Sequence, residues 1–372
     1  MTKVLHICSY YVGTNLYQKL FDSLEKLQVE QDAYVFVENK YEATGEFPSN
    51  VYISKCYNEI DRLFFHLKHS KVLNDIKSRM EISKYDIIHA HSLFSNGYIA
   101  YKIKKEYNIP YIVAVRNTDV NLFFGKMIHL RVLGINILKN AEKIIFISAP
   151  YKKYTIDKFI PEKYKKEIEE KSVVIPNGID KFWLDNKFQD RIKPQDNKLK
   201  LIYAGTVSEN KNIVTTAKAC KLLSDQGYEL TYKIIGKITD RKYCNFIDKH
   251  PFIKYIPHCQ KEELIDHYRS SDVFVMPSKH ETFGLVYAEA MSQGLPIIYT
   301  RGQGFDGQFK EGEVGYSVQY NSAEEIANRV KDILNNYETI SKNCIEKVDK
   351  FDWDKIAKEY MDLYNSVLNG RK

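Results

Sequence analysis

Short apolar segments alternate with helix-length amphipathic segments along almost the whole chain. Most of the short segments are continuously apolar, as strands of a parallel sheet covered on both faces must be. Strands are predicted at residues 3–8, 33–37, 87–89, 111–115, 144–147, 172–175, 199–203, 232–235, 253–256, 273–276 and 296–298. This alternation predicts an α/β fold with parallel sheets.

The segments between the strands have helical periodicity. Ile60, Leu63, Phe64 and Leu67 are one example, with apolar residues at positions i, i+3, i+4 and i+7. This spacing places apolar side chains on one face of a helix. The sequence therefore predicts an amphipathic helix here, as in the other segments of this kind.

The pattern starts again in the second half of the chain. A strand at 3–8 leads through Gly13 to a helix near Leu16, and a strand at 199–203 leads through Gly205 to a helix near Asn212. Two such openings predict two Rossmann-like domains in series. We expect one domain at 1–175, with residues 355–372 packing back on it, and a second at 176–354. Residues 187–198 are polar and are predicted to form a loop.

Composition excludes several classes of protein. No run reaches the roughly 18–20 apolar residues of a membrane-spanning helix, and the apolar N-terminal run is too short for a signal peptide. Six scattered cysteines without a C-x-x-C pair predict reduced thiols in a cytosol rather than disulfides. The net charge of +7 is too small for a nucleic-acid-binding arm. It favours a phosphorylated ligand or an anionic surface.

The segment 277–296 is the strongest candidate for a binding site. It follows the strand 273–276, continues as a polar loop and enters a helix that begins near Phe283 and ends at Gly294. Open parallel sheets bind ligands beyond the carboxyl ends of their strands. Glu281 lies at such an end and is therefore a candidate ligand-binding carboxylate.

The start of this helix is suited to a phosphate group. The backbone N–H groups of Phe283, Gly284 and Leu285 are predicted to face the ligand, because helix N-termini favour anions. Gly284 carries no side chain that would block the approach. Glu289, about two turns further on, offers a bidentate acceptor for ribose hydroxyls.

The Glu-x7-Glu string, with Phe283-Gly284 and Gly294-Leu295-Pro296, resembles the donor-binding signature of glycosyltransferase family 4. These are retaining, nucleotide-sugar-dependent enzymes of the GT-B fold. Further matches occur in the order of the family, at residues 87–91, 175–180, 204–211 and 351–360. The resemblance implies two Rossmann-like domains facing across a deep cleft, with the acceptor bound by the first domain and the donor by the second.

The resemblance also implies a role for individual residues. Glu281 would contact hydroxyls of the donor sugar, and Glu289 would contact the ribose. Lys211 would bind the diphosphate, which the backbone at Gly13 would also approach. His91 would line the reaction centre and hydrogen-bond the transferred sugar. The implied catalytic residues are thus His91, Glu281 and Lys211, and the remaining donor contacts come from the start of the second domain and from the helix after Glu281.

Two departures from the family pattern affect the diphosphate site. The family usually has an arginine directly after the glycine at 205, but this chain has Thr206, which can donate a hydrogen bond but brings no charge. Arg301 is a candidate to replace that charge. In the turn 302–307, Asp306 is a candidate for the acidic role that relatives give to a glutamate.

Two further residues follow the strand 111–115. Arg116 and Asp119 stand where the resemblance places an acceptor-side loop, and either is available for acceptor or donor contacts. The adjoining segment 121–141 has three basic residues and no acidic one. Two interpretations stay open for it: a core helix with a basic edge, or a helix lying on an anionic membrane.

The function implied is retaining transfer of a hexosyl or N-acetylhexosaminyl group. The donor is a nucleoside-diphosphate sugar, with UDP expected, and the acceptor is a hydroxyl of a glycan or lipid-linked molecule in cell-surface polysaccharide or glycoconjugate synthesis. We expect front-face substitution without a metal or further cofactor, since there is no suitable D-x-D and no His/Cys cluster in the sequence. A cytoplasmic enzyme is expected, with association to the inner membrane face as an open question.

Other activities remain as alternatives. A GT-B sugar-nucleotide epimerase or hydrolase would use the same donor site. A NAD-dependent oxidoreductase is disfavoured, because neither opening has G-x-G-x-x-G followed by an acidic residue about twenty positions later. A two-lobed solute-binding receptor is disfavoured because it would be exported, and the apolar N-terminal run is too short for a signal peptide.

Overall fold

The computed structural model describes residues 2–43 and 45–370, and in this part of the chain all paired strands are parallel. The α/β class is therefore confirmed. The strands are β1 (Lys3–Ile7), β2 (Glu30–Glu38), β3 (Val51–Tyr57), β4 (Ile87–Ala90), β5 (Tyr111–Val115), β6 (Lys143–Phe146), β7 (Ser172–Val174), β8 (Lys198–Ala204), β9 (Glu229–Ile235), β10 (Ile253–Ile256), β11 (Val273–Val275), β12 (Ile297–Thr300) and β13 (Gly315–Val318).

Helices connect the strands throughout, as parallel pairing requires. They are α1 (Leu16–Lys26), α2 (Phe65–Arg79), α3 (Ser95–Tyr107), α4 (Arg131–Asn140), α5 (Ala149–Phe159), α6 (Glu162–Lys171), α7 (Lys181–Asp185), α8 (Ile213–Asp225), α9 (Lys242–Asp248), α10 (Lys261–Arg269), α11 (Leu285–Ser292), α12 (Ala323–Asn335), α13 (Tyr337–Lys347) and α14 (Trp353–Asn369). In this part of the chain, no helix has both the length and the apolar composition needed to span a bilayer.

The two sheets have the same kind of strand order. The first runs β3-β2-β1-β4-β5-β6-β7 and the second β10-β9-β8-β11-β12-β13. In each sheet the winding reverses beside the first strand, between β1 and β4 and between β8 and β11. Doubly wound sheets bind ligands beyond the carboxyl ends of the strands at such a reversal. The topology therefore marks one candidate binding position in each sheet.

The contacts divide the chain into two compact units, each built on one sheet. The first contains residues 2–147, 152–176 and 353–370, and the second contains residues 148–151 and 177–352. Helix α14 belongs to the first unit although it follows the second in sequence. Its Asp354 accepts hydrogen bonds from Ser23 (2.7 Å) and Lys26 (2.9 Å) of α1. Residues 371 and 372 of the predicted C-terminal segment lie outside the described residues.

Two strands are missing from the sequence prediction, and both lie at a sheet edge. β3 and β13 each pair with a single neighbouring strand. Only Val51 and Ser54 of the seven residues of β3 are buried, whereas all five residues of β5 in the same sheet are fully buried. A search for continuous apolar runs finds strands covered on both faces and misses this edge pattern.

The amphipathic helix predicted from Ile60, Leu63, Phe64 and Leu67 is wrong in phase. A 3-10 turn covers Glu59–Leu63 and α2 begins only at Phe65. The four residues are between 51% and 78% exposed, and the buried face of α2 is formed by Phe65, His69, Val72 and Ile76. A capping box between Asn58 and Asp61 starts the 3-10 turn and changes the helical phase.

Both interpretations of the segment 121–141 assumed a single helix, and the structure shows that it does not form one. It consists of the end of a π-turn at Asp119–Phe124, a 3-10 turn at Ile128–Leu130 and α4. Ile135, Ile137 and Leu138 of α4 pack into the core. Leu122, Ile128 and Val132 are 42%, 64% and 69% exposed. The segment thus has a core side and an uncovered apolar side.

Candidate active site

In the second unit, two loops at the sheet reversal are joined residue by residue. The loop after β8 includes a 3-10 turn at Glu209–Lys211, and the loop after β11 contains residues 279–281. Three consecutive pairs connect them: Glu209–Lys279, Asn210–His280 and Lys211–Glu281. The middle pair is bidentate, since the Asn210 amide donates to the His280 carbonyl and accepts from the His280 N–H.

The predicted site residues Lys211 and Glu281 are brought together by this pairing. The Lys211 Nζ lies 2.5 Å from the Glu281 Oε2, although the residues are 70 positions apart. Their side chains are only 24% and 13% exposed. The other carboxylate oxygen accepts from the Thr282 N–H at 3.0 Å. A charged pair with restricted access to water can therefore exchange partners with a charged ligand.

The loop after β12 supports Glu281 from its backbone. The Glu281 N–H donates to the Gln303 Oε1 at 3.0 Å, and the Gly304 N–H donates to the Glu281 carbonyl at 2.8 Å. A Cβ on Gly304 would overlap the Thr282 carbonyl, so this backbone contact requires glycine. Asp306 caps its own turn by accepting from the Gly302 N–H. The loops after three neighbouring strands thus meet at Glu281, with Lys211 at its carboxylate and Gln303 and Gly304 at its backbone.

The start of α11 has the features predicted for an anion site. The helix begins at Leu285, and no side chain caps its first turn. First-turn N–H groups have no acceptor within their own helix. The Phe283 ring is buried against Phe305 and Phe351. Gly284 has a φ of +82°, and a Cβ there would overlap the Tyr287 ring, so the fold itself requires this glycine.

Gly205 and Thr206 begin the loop after β8. Gly205 has a φ of +143°, and Thr206 is exposed while its carbonyl accepts from the Tyr203 hydroxyl at 2.8 Å. Sequence reasoning missed Gly236, which directly follows β9. A Cβ on Gly236 would overlap the Gly205 carbonyl, so the two strand ends meet backbone to backbone. The position of this glycine directly after a predicted strand could have indicated a close backbone contact.

Two other predicted residues, Arg301 and Glu289, lie in different surroundings from the Lys211–Glu281 pair. Arg301 pairs with Glu325 and donates to the Ser317 carbonyl. We therefore do not assign it the charge that Thr206 lacks. Glu289 is half-buried on α11. Burial first, and then the negative charge of Glu289, raises the pKa of the Tyr268 phenol well above its usual value.

In the first unit, His91 and Gly13 lie at the β1–β4 reversal. His91 follows β4, and its N–H donates to the Ile7 carbonyl at 3.0 Å. The imidazole of His91 is fully buried. Gly13 is exposed in the turn after β1, and a Cβ there would have no neighbour within 4 Å. Packing therefore leaves the surface at Gly13 open to a ligand.

His91 belongs to a buried cluster with His6 and His89, which sequence reasoning missed. His6 Nδ1 lies 3.0 Å from His91 Nε2, and the rings of His89 and His91 stack at 3.9 Å between centroids. Burial lowers the pKa of His6 to about 3 and the pKa values of His89 and His91 well below their usual value. All three are neutral at pH 7. His6 stands within the apolar run of β1, and a polar residue in such a run could have indicated a buried cluster.

Asp119 and Arg116 brace the loops after β4 and β5. The buried Asp119 carboxylate accepts from the N–H groups of Leu93, Phe94 and Arg116 at 2.9 to 3.0 Å. Arg116 Nε donates to the His91 carbonyl at 3.2 Å, and its guanidinium lies over the Tyr17 ring. The expectation that Asp119 is available for acceptor contacts is therefore wrong, because backbone donors occupy it.

Two groups of side chains in the described residues have the spacing of metal ligands. They are His6–His89–His91 and Cys259–Glu263–His267, each with ligand atoms within 4.8 Å of one another. The premise that the chain has no His/Cys cluster is thus wrong. The residues of the second group are four positions apart in sequence, at and just before α10. This spacing places their side chains next to one another on a helix. Metal-independent catalysis stays a prediction.

The buried histidines predict a loss of stability in mild acid. The pKa of His69 is lowered to about 4 by burial, so four buried imidazoles stay neutral while the unfolded chain binds protons near pH 6.5. Stability is complete above pH 6.5 and falls as the pH drops towards 4. Burial raises the pKa of Asp119 to about 6, so the folded protein itself binds one proton in this pH range. This proton offsets one of those that the unfolded chain binds. The loss is about 1.4 kcal/mol per pH unit for each net proton.

Urea unfolding at pH 7.5 and pH 5.0 measures this loss. The variant His69→Asn lacks one of the four imidazoles. Its free energy of unfolding should therefore differ less between the two pH values, by the contribution of about one proton. His280 is exposed, so His280→Asn serves as the control and should leave the difference unchanged. Equal stability of the wild-type protein at both pH values would contradict the prediction.

Two sequence families match the chain in succession. Residues 35–181 match Glycosyltransferase Family 4, and residues 185–351 match Glycosyl transferases group 1. The chain is 25% identical to the α-monoglucosyldiacylglycerol synthase of Acholeplasma laidlawii over 78% of each chain.

Solved structures share the fold. Sucrose-phosphate synthase of Thermosynechococcus elongatus superposes with a TM-score of 0.74 and 19% identity, covering all of both chains. The Anabaena protein HepE in complex with UDP-glucose gives a TM-score of 0.65 and 16% identity, covering 98% of this chain and all of that one. The expected GT-B fold class is confirmed. The two family matches confirm the resemblance to glycosyltransferase family 4, and the similarity to glycosyltransferases supports sugar transfer as the activity.

Proposed function

We propose that this glycosyltransferase moves a sugar from a UDP-sugar to a hydroxyl of a glycan or lipid-linked acceptor, with retention of configuration. The observation that carries the proposal is the Lys211–Glu281 pair at the β8–β11 reversal. The resemblance to the family assigns these two positions to the donor. UDP is favoured because the structurally similar HepE is described in complex with UDP-glucose.

Lys211 and Glu281 exchange partners when the donor binds. Without a donor, the ammonium and the carboxylate neutralise each other. A diphosphate offers Lys211 a stronger anion, and the uncapped first turn of α11 adds backbone N–H donors. Glu281 is then free to accept hydrogen bonds from sugar hydroxyls. Glu289 is assigned to the ribose. The site neutralises the leaving diphosphate with fixed positive groups, which is the electrostatic contribution to catalysis.

Retention is proposed to proceed by front-face substitution. Double displacement needs a carboxylate nucleophile, and the sequence offers no residue for that role. Asp119 of the acceptor-side loop is buried, and its carboxylate accepts from three backbone N–H groups. The departing diphosphate oxygen instead takes the proton of the acceptor hydroxyl. His91 lines the reaction centre, and the protein contributes orientation and electrostatic stabilisation.

Donor identity is tested by thermal shift. UDP-sugars should raise the melting temperature more than GDP-, ADP- or dTDP-sugars, because a ligand that binds only the folded state stabilises it by mass action. A concentration of 100 times the Kd adds about 2.7 kcal/mol. Release of free UDP should then require an acceptor. UDP release without acceptor would favour the hydrolase alternative, and a changed sugar without UDP release would favour the epimerase.

The first unit has an apolar surface that supports a membrane-borne acceptor. It consists of seven exposed residues: Ile60, Leu63, Phe64, Leu67, Leu122, Ile128 and Val132. The two segments that carry them meet where the rings of Phe65 and Phe123 lie 6.0 Å apart. Exposed apolar side chains concentrated in one region mark an interaction site. We assign it to a lipid bilayer with the enzyme at the cytoplasmic face.

Charge favours an anionic bilayer as the occupant of the apolar surface. Residues 120–141 contain Lys126, Arg131 and Lys139 and no acidic side chain. Lys126 and His129 are exposed beside the apolar residues. Basic residues next to inserted apolar side chains strengthen binding to anionic lipid.

Vesicle flotation tests this surface. The wild-type protein should float with vesicles containing anionic lipid, and Leu63→Ser/Phe64→Ser should lower the bound fraction at least tenfold, since each buried apolar side chain contributes about 1.5–3 kcal/mol. Ile192 in the second unit is 76% exposed, so Ile192→Ser is the matched control and should bind normally. Absence of wild-type binding, or an equal loss in the control, would overturn the membrane assignment.

A further inference from the structure

A group of three potential metal ligands lies where the loop after β10 enters α10. Cys259 belongs to the loop, and Glu263 and His267 lie on the first and second turns of the helix. The Cys259 Sγ, a carboxylate oxygen of Glu263 and a ring nitrogen of His267 lie within 4.8 Å of one another. The group belongs entirely to the second unit and contains none of the residues assigned to the donor.

The backbone of the first helical turn holds this arrangement in place. The N–H groups of Glu263 and Leu264 both donate to the Gln260 carbonyl, at 3.1 and 2.9 Å. Gln260 has extended backbone angles, with φ at −75° and ψ at 163°, and is the last residue before the helix. Cys259 precedes the helix, but its thiol still lies beside the face on which residues four positions apart are neighbours. The loop and the helix therefore present their three side chains to one point.

The His267 ring has a nitrogen that the fold leaves without a hydrogen bond. The Nε2 atom is buried, and it has no hydrogen-bond partner in the part of the chain that the structure describes. The Glu263 Oε1 lies 3.7 Å away, which is longer than a hydrogen bond. Zinc holds nitrogen and oxygen ligands at about 2.0–2.2 Å, so a tetrahedral ion separates two such ligands by about 3.4 Å. The observed separation thus fits two ligands of one ion better than a hydrogen-bonded pair.

A helix ion pair without a metal is the simpler interpretation of Glu263 and His267. A glutamate four residues before a protonated histidine stabilises a helix slightly. That interpretation requires a charged imidazole, and it gives no role to the Cys259 thiol. Thiolate, imidazole and carboxylate are together the ligand types that zinc combines in proteins. The composition of the group therefore favours a metal site.

We propose that Cys259, Glu263 and His267 bind a zinc ion, with water as the fourth ligand. The Glu263 side chain is 64% exposed and that of His267 is 24% exposed, so the ion enters from solvent on the Glu263 side. The bound ion links the loop after β10 to α10 and stabilises the folded second unit by mass action. This inference goes beyond the proposed function and does not depend on it.

Cobalt titration of the full chain, reduced and without an affinity tag, tests the site. Cobalt(II) is used as the probe because it occupies zinc sites and its bond to a thiolate absorbs in the near ultraviolet. We expect one Co²⁺ per chain to produce this band and an excess of Zn²⁺ to remove it. Absence of the band, or a band that Zn²⁺ does not remove, would overturn the proposal.

Substitutions identify the ligands. Cys259→Ala should abolish the cobalt–thiolate band, whereas Cys244→Ala, which removes the half-buried cysteine of α9, should retain it. Glu263→Gln should weaken zinc binding at least about tenfold. Glu262→Gln removes the neighbouring exposed carboxylate and should leave the affinity unchanged. A band that persists in Cys259→Ala, or equal weakening in the two glutamine variants, would contradict the assigned ligands.

Discussion

Replacing Glu281 by glutamine should lower kcat by about 10²–10³-fold, the range typical of losing one preorganised electrostatic contact to the reacting groups. The amide keeps the size of the side chain and one acceptor oxygen, but it loses the charge that Lys211 and the Thr282 N–H now neutralise. Support from Gln303 and Gly304 reaches the backbone of Glu281 and is unaffected. The melting temperature should therefore change little. Initial rates and thermal unfolding measure both effects.

Glu209 provides the matched control for this substitution. It forms the first of the three pairs between the same two loops, with Lys279 at 2.6 Å, and it is 70% exposed. Glu209→Gln should retain near-normal kcat, because an exposed pair contributes little. A folded Glu281→Gln protein with near-normal rates would show that the site is assigned wrongly. An equal loss in both variants would indicate that the loops, and not the carboxylate, are responsible.

Replacing Lys211 by methionine should lower kcat by a similar factor of about 10²–10³ and should also weaken UDP binding. The lysine ammonium is the cation that the proposal places on the diphosphate. The position after Gly205, where the family usually has arginine, is the uncharged Thr206. Arg301 is held by Glu325 and Ser317 and is not expected to compensate. Calorimetric titration with UDP and initial rates measure the two effects.

Lys279→Met is the control for the loss of a positive charge in this region. Lys279 pairs with Glu209 and is 36% exposed. UDP affinity should be nearly unchanged in this variant. Unchanged UDP affinity in Lys211→Met would contradict the assignment of the diphosphate to Lys211. Equal weakening in both variants would indicate a general charge effect, which added salt would reduce in both proteins alike.

The interior of the fold could be predicted because burial on both faces leaves a simple signal. β5 is continuously apolar and β12 is buried along its whole length, and each was predicted close to its observed position. β3 and β13 were missed because an edge strand has only one neighbour and need not be apolar throughout. The phase of α2 was wrong because a local capping box between Asn58 and Asp61 changes the helical register.

The candidate site could be predicted only as separate residues. Lys211 and Glu281 were identified through the resemblance, but their contact depends on the pairing of two loops 70 positions apart. Gln303 and Gly304 were not assigned to Glu281, because their role follows from the adjacency of β11 and β12. The His6–His91 contact likewise joins β1 to the end of β4. Such contacts are set by strand order, which local patterns do not encode.

The most direct test of retaining transfer is the anomeric configuration of the product. NMR spectra recorded during the reaction, with the UDP-sugar selected by thermal shift and an acceptor hydroxyl present, report the anomeric proton of donor and product. The account predicts a new glycosidic signal with the configuration of the donor, formed with one UDP for each sugar transferred. A product of inverted configuration, or free sugar as the only product, would contradict it.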